Sequence, residues 1–398
     1  MKKLFLLLGL ALSVNASDWP VYRGPNHDGI STETGWTTAW PKGGPAKLWK
    51  AKVGIGFSSM VVSDGRVFTM GNAKNQDSVV AFDAVSGKKL WSHTYAAELG
   101  PLYYEGGPGA TPTVEGDAVY TISKWGDVFC LGAADGKVRW KRQLRDQEGA
   151  KVVDWGFGGA PMPYGDLLLL NAGGAGMALE KASGKTVWKS KGDPGYSTPY
   201  PIDWDGRRLF MFSSGDDYSA VDPKNGNAAW SIEWVTRYGV NGADPIVADG
   251  LVFLSSGYGK GSGLHRVVKG VAEERWRSRK FRTQFNPAVK FGDRLFGFDG
   301  DTAARAYVKC VDWKSGDILW EDESLGFGSI TAADGKLILL GNKGDLVVAK
   351  PSDKGLETIA RAKVLGGKCW TVPVLANGLI YCRNAAGDLV CLDVRGKK

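Results

Sequence analysis

The sequence is poor in the residues that carry most enzyme chemistry. Its three histidines, His27, His93 and His265, stand far apart, and none has metal-ligand spacing to another. The five cysteines include no adjacent pair, and no serine-nucleophile elbow occurs. The glycine-rich stretch SSGYGKGSGLHR, residues 255–266, lacks the G-x-x-x-x-G-K-[ST] spacing and the following helix of a phosphate-cradling loop, and reads as an unusually long loop. No catalytic residue and no metal ligand is therefore expected. Apart from Leu4–Val14, which is too short to cross a bilayer, long apolar runs are missing, so no membrane span is expected either. The net charge of +8 is spread along the chain and forms no basic stripe, which describes a solvated surface and not a nucleic-acid partner.

The one apolar run has another meaning. Lys2 and Lys3 precede it, and VNA with Ser17 follows, which is the layout of a signal peptide over residues 1–16 with cleavage after Ala16. No cysteine follows the run, so a lipid anchor is not expected, and the mature protein should be soluble in the periplasm or outside the cell. Five cysteines leave at least one thiol unpaired in such a chain. Cys130, Cys310 and Cys391 share a local pattern (VFCLG, VKCVD, LVCLD) and need not pair. Cys382 and Cys391 flank a short glycine-containing turn, which leaves open either a bridge or two buried thiols.

What the chain has in plenty is glycine, with 56 residues, and tryptophan, with 16. The tryptophans follow a recurring element. AFDAVSGKKLW (81–91) reads Ala-x-Asp-x-x-x-Gly-Lys-x-x-Trp; ALEKASGKTVW (178–188), AVDPKNGNAAW (220–230) and CVDWKSGDILW (310–320) follow it with one or two exchanges each, and LGAADGKVRW (131–140) is a shortened copy. Trp49, Trp91, Trp140, Trp188, Trp230, Trp276 and Trp320 fall 42 to 49 residues apart, the period of a propeller blade. Regular recurrence assigns these seven to packing between blades rather than to a ligand cage. Unit seven carries Ile359 where tryptophan is expected, and unit five has VVKGVAEERW in place of the turn signature.

Each unit reads as four strands joined by hairpins, with a glycine turn after the first strand: SDG, EGD, YGD, WDG, ADG, FGD, ADG and ANG. The first strands start near Ser58, Thr111, Pro161, Thr198, Asp244, Asn286, Ile330 and Thr371, so eight blades are predicted. The eighth unit stops before its tryptophan strand, and PAKLWKAK near the front of the chain supplies it. Strand 46–53 should complete the C-terminal blade 371–394 and leave no bare edge in the ring. The fold class is all-β: one eight-bladed propeller of four-stranded antiparallel blades over 45–398, with segment 17–44 packed against it. A closed ring needs no second subunit, so a monomer is expected.

Loops joining strand four of one blade to strand one of the next share a face with the strand two–three turns and surround the channel mouth. They read GIGFSS, EGGPGATP, WGFGGAPMP, DPGYSTPYP, RYGVNGADP, RTQFNP, GFGSITA and KCWTVP. Trp155, Tyr196, Arg237, Asn241, Asp244, Arg282, Gln284 and Trp370 are the candidate ligand-binding residues at this mouth, for a protein segment or a small ligand.

The repeated element resembles the tryptophan-docking motif of pyrroloquinoline quinone (PQQ)-type repeat propellers over nearly all of 46–394. DWPVYRGPNHDGIS, NGADPIVADGLVFLSSGYGKG and VLGGKCWTVPVLANGLIYCRNAAGDLVCLD resemble exported PQQ-binding-like propeller proteins of planctomycete and verrucomicrobia type. More distantly, the chain is similar to the propeller lipoprotein of outer-membrane assembly, a scaffold, and to quinoprotein alcohol dehydrogenases. The first resemblance implies a non-catalytic binding or scaffold module without a cofactor. The alternative implied by the second is a PQQ-dependent alcohol or sugar dehydrogenase, holding quinone and calcium in the channel against a disulfide of adjacent cysteines. Asp244 or Asp299 would then be the candidate base, and the adjacent cysteines are missing here.

Overall fold

The computed structural model describes residues 17–300 and 305–396, and the expected signal peptide lies outside the described residues. Eight antiparallel sheets form the ring. Blades one to seven span 61–96, 113–143, 162–189, 200–233, 246–278, 289–322 and 328–363, and blade eight joins 374–393 to Ala46–Lys52. Among the described residues one short α-helix, Leu144–Glu148, and a 3-10 turn, Arg237–Gly239, interrupt the strands.

The hairpins begin in local chemistry. At Asp64-Gly65, Asp205-Gly206, Asp249-Gly250, Asp334-Gly335 and Asn377-Gly378 both residues have positive φ, the conformation of the two-residue turn whose twist matches paired strands. The hydrophobic core then lies between blades rather than within one. Phe68, Val79, Ala81 and Trp91 of blade one pack with Val119, Phe129 and Leu131 of blade two, and the pattern repeats around the ring.

Six of the recurring tryptophans each donate the indole N–H to a carbonyl of the following blade, at 2.7 to 3.0 Å: Trp49 to Ala84, Trp91 to Ala133, Trp140 to Lys181, Trp188 to Pro223, Trp276 to Trp313 and Trp320 to Ser352. The indole lies flat on the glycine of the next turn. A Cβ on Gly184, which also has φ +71°, would sit 2.6 Å from the Trp140 ring, so both backbone and space require glycine there. Trp230 faces blade five, where the turn signature has shrunk to Lys269-Gly270, and its indole N–H is buried without a partner among the described residues. It packs instead on Trp204, ring centroids 5.0 Å apart.

Blade seven differs from the sequence expectation by one residue. In each tryptophan strand a bulge immediately precedes the tryptophan, as before Trp91, which pairs with Ala81. In blade seven the residue at that register is Ala360, opposite Val348, and Ile359 falls in the bulge, 38% exposed. Across the joint Gly44 approaches the same strand two residues further on, its Cβ position 2.5 Å from the Ala362 Cβ.

Blade eight closes as the truncated eighth unit implied, with Trp49 opposite Cys391 and Lys50 opposite Val390. The joint to blade one is held by Arg383, fully buried, whose guanidinium donates to the carbonyls of Ser58 (2.8 Å), Met70 (2.7 Å), Gly54 (3.2 Å) and Gly56 (3.0 Å) and to Thr69 Oγ1 (2.9 Å). Cys382 and Cys391 remain thiols. Tyr381 pairs with Cys391 and Cys382 with Val390, so the two side chains leave opposite faces of the sheet, one toward blade seven and one toward blade one. All five cysteines are buried and free.

Residues 255–266 also differ from expectation. Ser255 pairs with Ser262 and Ser256 with Gly261, so the strands run on through the stretch and only Gly257–Lys260 turns.

The N-terminal segment lies along the inner strands. Trp19 exchanges backbone hydrogen bonds with Val62 of blade one (2.8 and 2.9 Å), and the Val114 N–H of blade two donates to Pro20 O (2.8 Å). Arg23 Nη2 donates to Ala288 O beside blade six (2.9 Å). Ile30–Ser31 pairs in parallel with the inner strand of blade seven, and Ser31 Oγ donates to Leu375 O of blade eight (3.1 Å). The contacts with blades one, two, seven and eight fall in the middle and C-terminal parts of the inner strands, so the segment occupies the channel end away from the strand four–one loops, with Arg23 reaching further along the channel to Ala288.

Candidate functional site

Antiparallel pairing places every strand four–one loop and every strand two–three turn at the end of the ring opposite residues 17–33. There the eight loops converge, and aromatic side chains from them meet. Phe57 lies 5.6 Å from Tyr104 and 5.7 Å from Trp370, centroid to centroid. Phe285, Phe327 and Trp370 form a three-way contact at 5.3 to 5.5 Å, although they come from the loops entering blades six, seven and eight. Trp155 meets Tyr196 edge-on at 5.9 Å. Most of these rings are half-buried and so form both a lid on the core and a surface toward solvent. Lys368 caps the cluster, its Nζ 4.4 Å from the Trp370 ring and 2.8 Å from Glu105. The Trp370 indole N–H is held by Asn342 Oδ1 at 2.9 Å.

The eight candidate residues separate here. Trp155, Tyr196 and Trp370 belong to the aromatic collar, and Arg237 is exposed on its rim with the guanidinium 4.9 Å from the Tyr238 ring. Asn241 is fully buried and donates to Ser214 O (2.8 Å) and Trp234 O (3.0 Å), tying its loop to the strand two–three turn of blade four. Gln284 is 7% exposed, with Oε1 lacking a partner among the described residues. Arg282 is bound to the buried Asp299 at 3.0 Å, and Lys309 reaches the same carboxylate at 3.0 Å.

Asp244 sits deeper, in a girdle of hydrogen bonds that links inner strands around the channel. Ser59 N–H donates to Thr111 Oγ1 (3.0 Å), Thr113 Oγ1 to Pro161 O (2.6 Å), Thr198 N–H to Asp244 Oδ1 (2.8 Å), Asn286 Nδ2 to Gly328 O (2.8 Å) and Ser329 Oγ to Thr371 O (2.8 Å). Burial pushes the Asp244 carboxyl up to about 7, against the opposing pull of Arg23.

Sequence reasoning picked out Trp155, Tyr196 and Trp370 with five polar residues and passed over Phe57, Tyr104, Phe285, Phe327, Tyr238 and Tyr258. A signal was present, because the loops repeat an aromatic beside glycine or proline. Tyr238 and Tyr258 meet edge-on at 5.4 Å, both with positive φ (69° and 51°), which is uncommon for bulky side chains. Beside them a groove of about 820 Å³ opens on the same face between the loops of blades three, four and five. Tyr196 and Tyr238 line it with Asp154, Asp193, Asp216 and Lys151, and Lys151 is ion-paired to Asp193. Burial raises the Tyr196 hydroxyl well above its ordinary value, so it stays a neutral donor.

The collar and groove are carried by a fold with known relatives. A protein described as outer membrane protein assembly factor BamB from Yersinia pestis is 24% identical over 319 residues, 76% of this chain and 78% of the relative. The crystal structure of BamB from Moraxella catarrhalis superposes with a TM-score of 0.63 at 15% identity, covering 89% of this chain and 98% of that one. Quinohemoprotein alcohol dehydrogenase from Comamonas testosteroni superposes with a TM-score of 0.69 at 13% identity, covering 96% and 81%. At those identities the superpositions speak for the fold alone. The family model described as outer membrane protein assembly factor BamB matches residues 75–301, more than half of the sequence, and the chain belongs to that family of PQQ-type repeat propellers.

Proposed function

We propose that this protein is an exported, non-catalytic propeller that holds a protein segment or a small ligand at its loop-rich face. The observation that carries this reading is the groove of about 820 Å³ lined by Tyr196 and Tyr238, adjoining a collar of half-buried rings. Aromatic side chains around a polar cleft supply contact area at low entropic cost, while Asp154 and Asp216 supply acceptors at its edges. The rigid ring behind them pre-organises the loops, which lowers the cost of binding. The curated relative and the family model, both described as outer membrane protein assembly factor BamB, support a scaffold role. Within this reading the indoles serve as inter-blade docks, and the closed ring works as a monomer. Among the described residues no helix is long and apolar enough to cross a membrane.

The reading without a calcium-bound quinone is supported by the contacts at the mouth. Phe285, Phe327 and Trp370 are in mutual contact there, and Asp299 is already shared by Arg282 and Lys309. Two arms test the proposal. Titration of the mature protein with PQQ, with and without calcium, is expected to give no binding; tight calcium-dependent binding at one site per chain would overturn it. A photo-cross-linking residue at Tyr238 is expected to capture an envelope component that one at exposed Lys224, on the opposite face, does not. Equal capture from both positions would count against the loop-rich face.

A further inference from the structure

The joint between blades seven and eight is the one where Ala360 stands at the tryptophan register. Trp36 and Trp40 cover one end of this joint, packing with Ala362, Val364 and Val394. The other end stays open as a cavity of about 470 Å³, lined by Lys47, Lys50, Lys52, Lys363 and Asp388 among others.

Strand register explains why the lysines gather there. The bulge between Lys47 and Trp49 sets Lys47 opposite Leu392, Lys50 opposite Val390 and Lys52 opposite Asp388. Leu392 and Val390 pack in the core shared with blade seven, whereas Cys391 and Leu389, opposite Trp49 and Ala51, pack in the core shared with blade one. Lys47, Lys50 and Lys52 therefore all stand on the blade-seven side, which an unbulged strand would not allow. Lys363 approaches from the end of the outer strand of blade seven.

Four lysines face one carboxylate in this lining, a surplus of three positive charges. That carboxylate, Asp388, is already held by Lys52 at 2.9 Å and by Asn384 at 2.8 Å. Lys363 shares Asp345 with Arg361, at 3.4 and 3.3 Å. Lys47 and Lys50 have no ion-pair partner among the described residues. The sign is local, because the larger groove on the loop-rich face is lined by four aspartates and two lysines. Ammonium groups around a cleft serve as point-charge ligands for phosphate oxygens, and a bound anion would relieve their mutual repulsion.

We propose that this seam is an anion-binding site that takes a phosphate ester, from a soluble phosphate compound or from a lipid headgroup. The test uses the mature full chain and tripolyphosphate in a calorimetric titration at low salt. The wild type is expected to bind at one site per chain. K47E/K50E should weaken binding at least about ten-fold, and added salt should weaken it too. Both lysines are exposed, so the variant's melting temperature should match the wild type's. K88E/K224E, the same charge change at exposed positions elsewhere, should leave the affinity unaltered. No wild-type binding, or equal weakening in the two double variants, would overturn the proposal. Sedimentation with phosphatidylglycerol vesicles but not phosphatidylcholine vesicles, lost in K47E/K50E, would assign the phosphate to a lipid. Tripolyphosphate binding without such sedimentation would assign it to a soluble compound.

Discussion

Arg383 Nη1 donates to Met70 O at 2.7 Å, joining the last blade of the propeller to the first across 313 positions of sequence. It is one of five bonds made by this side chain, four of them to carbonyls, and no carboxylate lies among its partners. Burial lowers the guanidinium to about 9, and the carbonyl dipoles replace the water it has lost. Removing it would leave several buried acceptors unpaired beside a cavity. Arg383→Met should therefore cost roughly 3–5 kcal/mol in urea unfolding, more than a typical core truncation of similar volume. A loss below about 1 kcal/mol would show that the joint is held by apolar packing instead.

The indoles offer an internal comparison. Trp91 donates to Ala133 O at 3.0 Å, while the Trp230 N–H has no partner among the described residues. Both are nearly buried, at 9% and 6% exposure, so phenylalanine removes similar area from each. Trp91→Phe should destabilise by about 1 kcal/mol more than Trp230→Phe, the net worth of one hydrogen bond. Equal losses in thermal unfolding would mean the bond contributes nothing beyond packing.

Asp244 gives a pH signature. Its folded pKa of about 7 lies above the unfolded value, so the folded state holds a proton that the unfolded state has released between about pH 4 and 7. Stability from this group is present below the unfolded pKa and is lost as pH rises through about 7. Asp244→Asn keeps an oxygen to accept the Thr198 N–H and removes the titration. The difference in unfolding free energy, variant minus wild type, should grow from pH 4 to pH 7. A difference independent of pH would contradict the placement of this carboxyl.

The thiols make a chemical prediction. All five cysteines are buried and free, and burial pushes Cys310, Cys369 and Cys391 up to about 12. A thiol reagent should label none of them quickly in the native protein and all five in denaturant. Reductant should leave the melting temperature unchanged. Three labelled thiols after unfolding would reveal a disulfide.

The eight blades were readable in the sequence because their determinants are local. Asp-Gly and Asn-Gly turns specify hairpins, and an indole needs a glycine a fixed distance along the next unit. Counting strands sufficed for the closure as well, since a truncated eighth unit and an extra tryptophan strand have one way to meet. The blade-seven register needed the structure, because 12 positions separate Val348 from Ala360 where 10 separate Ala81 from Trp91, and no propensity marks the longer turn.

The loop-rich face was identifiable from strand order alone, but the roles of its residues were not. Asn241 and Asp244 lie in the same loop as Arg237, and only their contacts with Ser214 and Thr198 of blade four turn these two inward and leave the third exposed. Phe285 and Trp370 are 85 positions apart, and their rings meet because eight loops share one axis. Turn chemistry and repeat spacing are properties of neighbouring residues and are written in the chain. Convergence at an axis depends on the closed ring, so the collar, the acidic groove and the lysine seam were decided by tertiary structure.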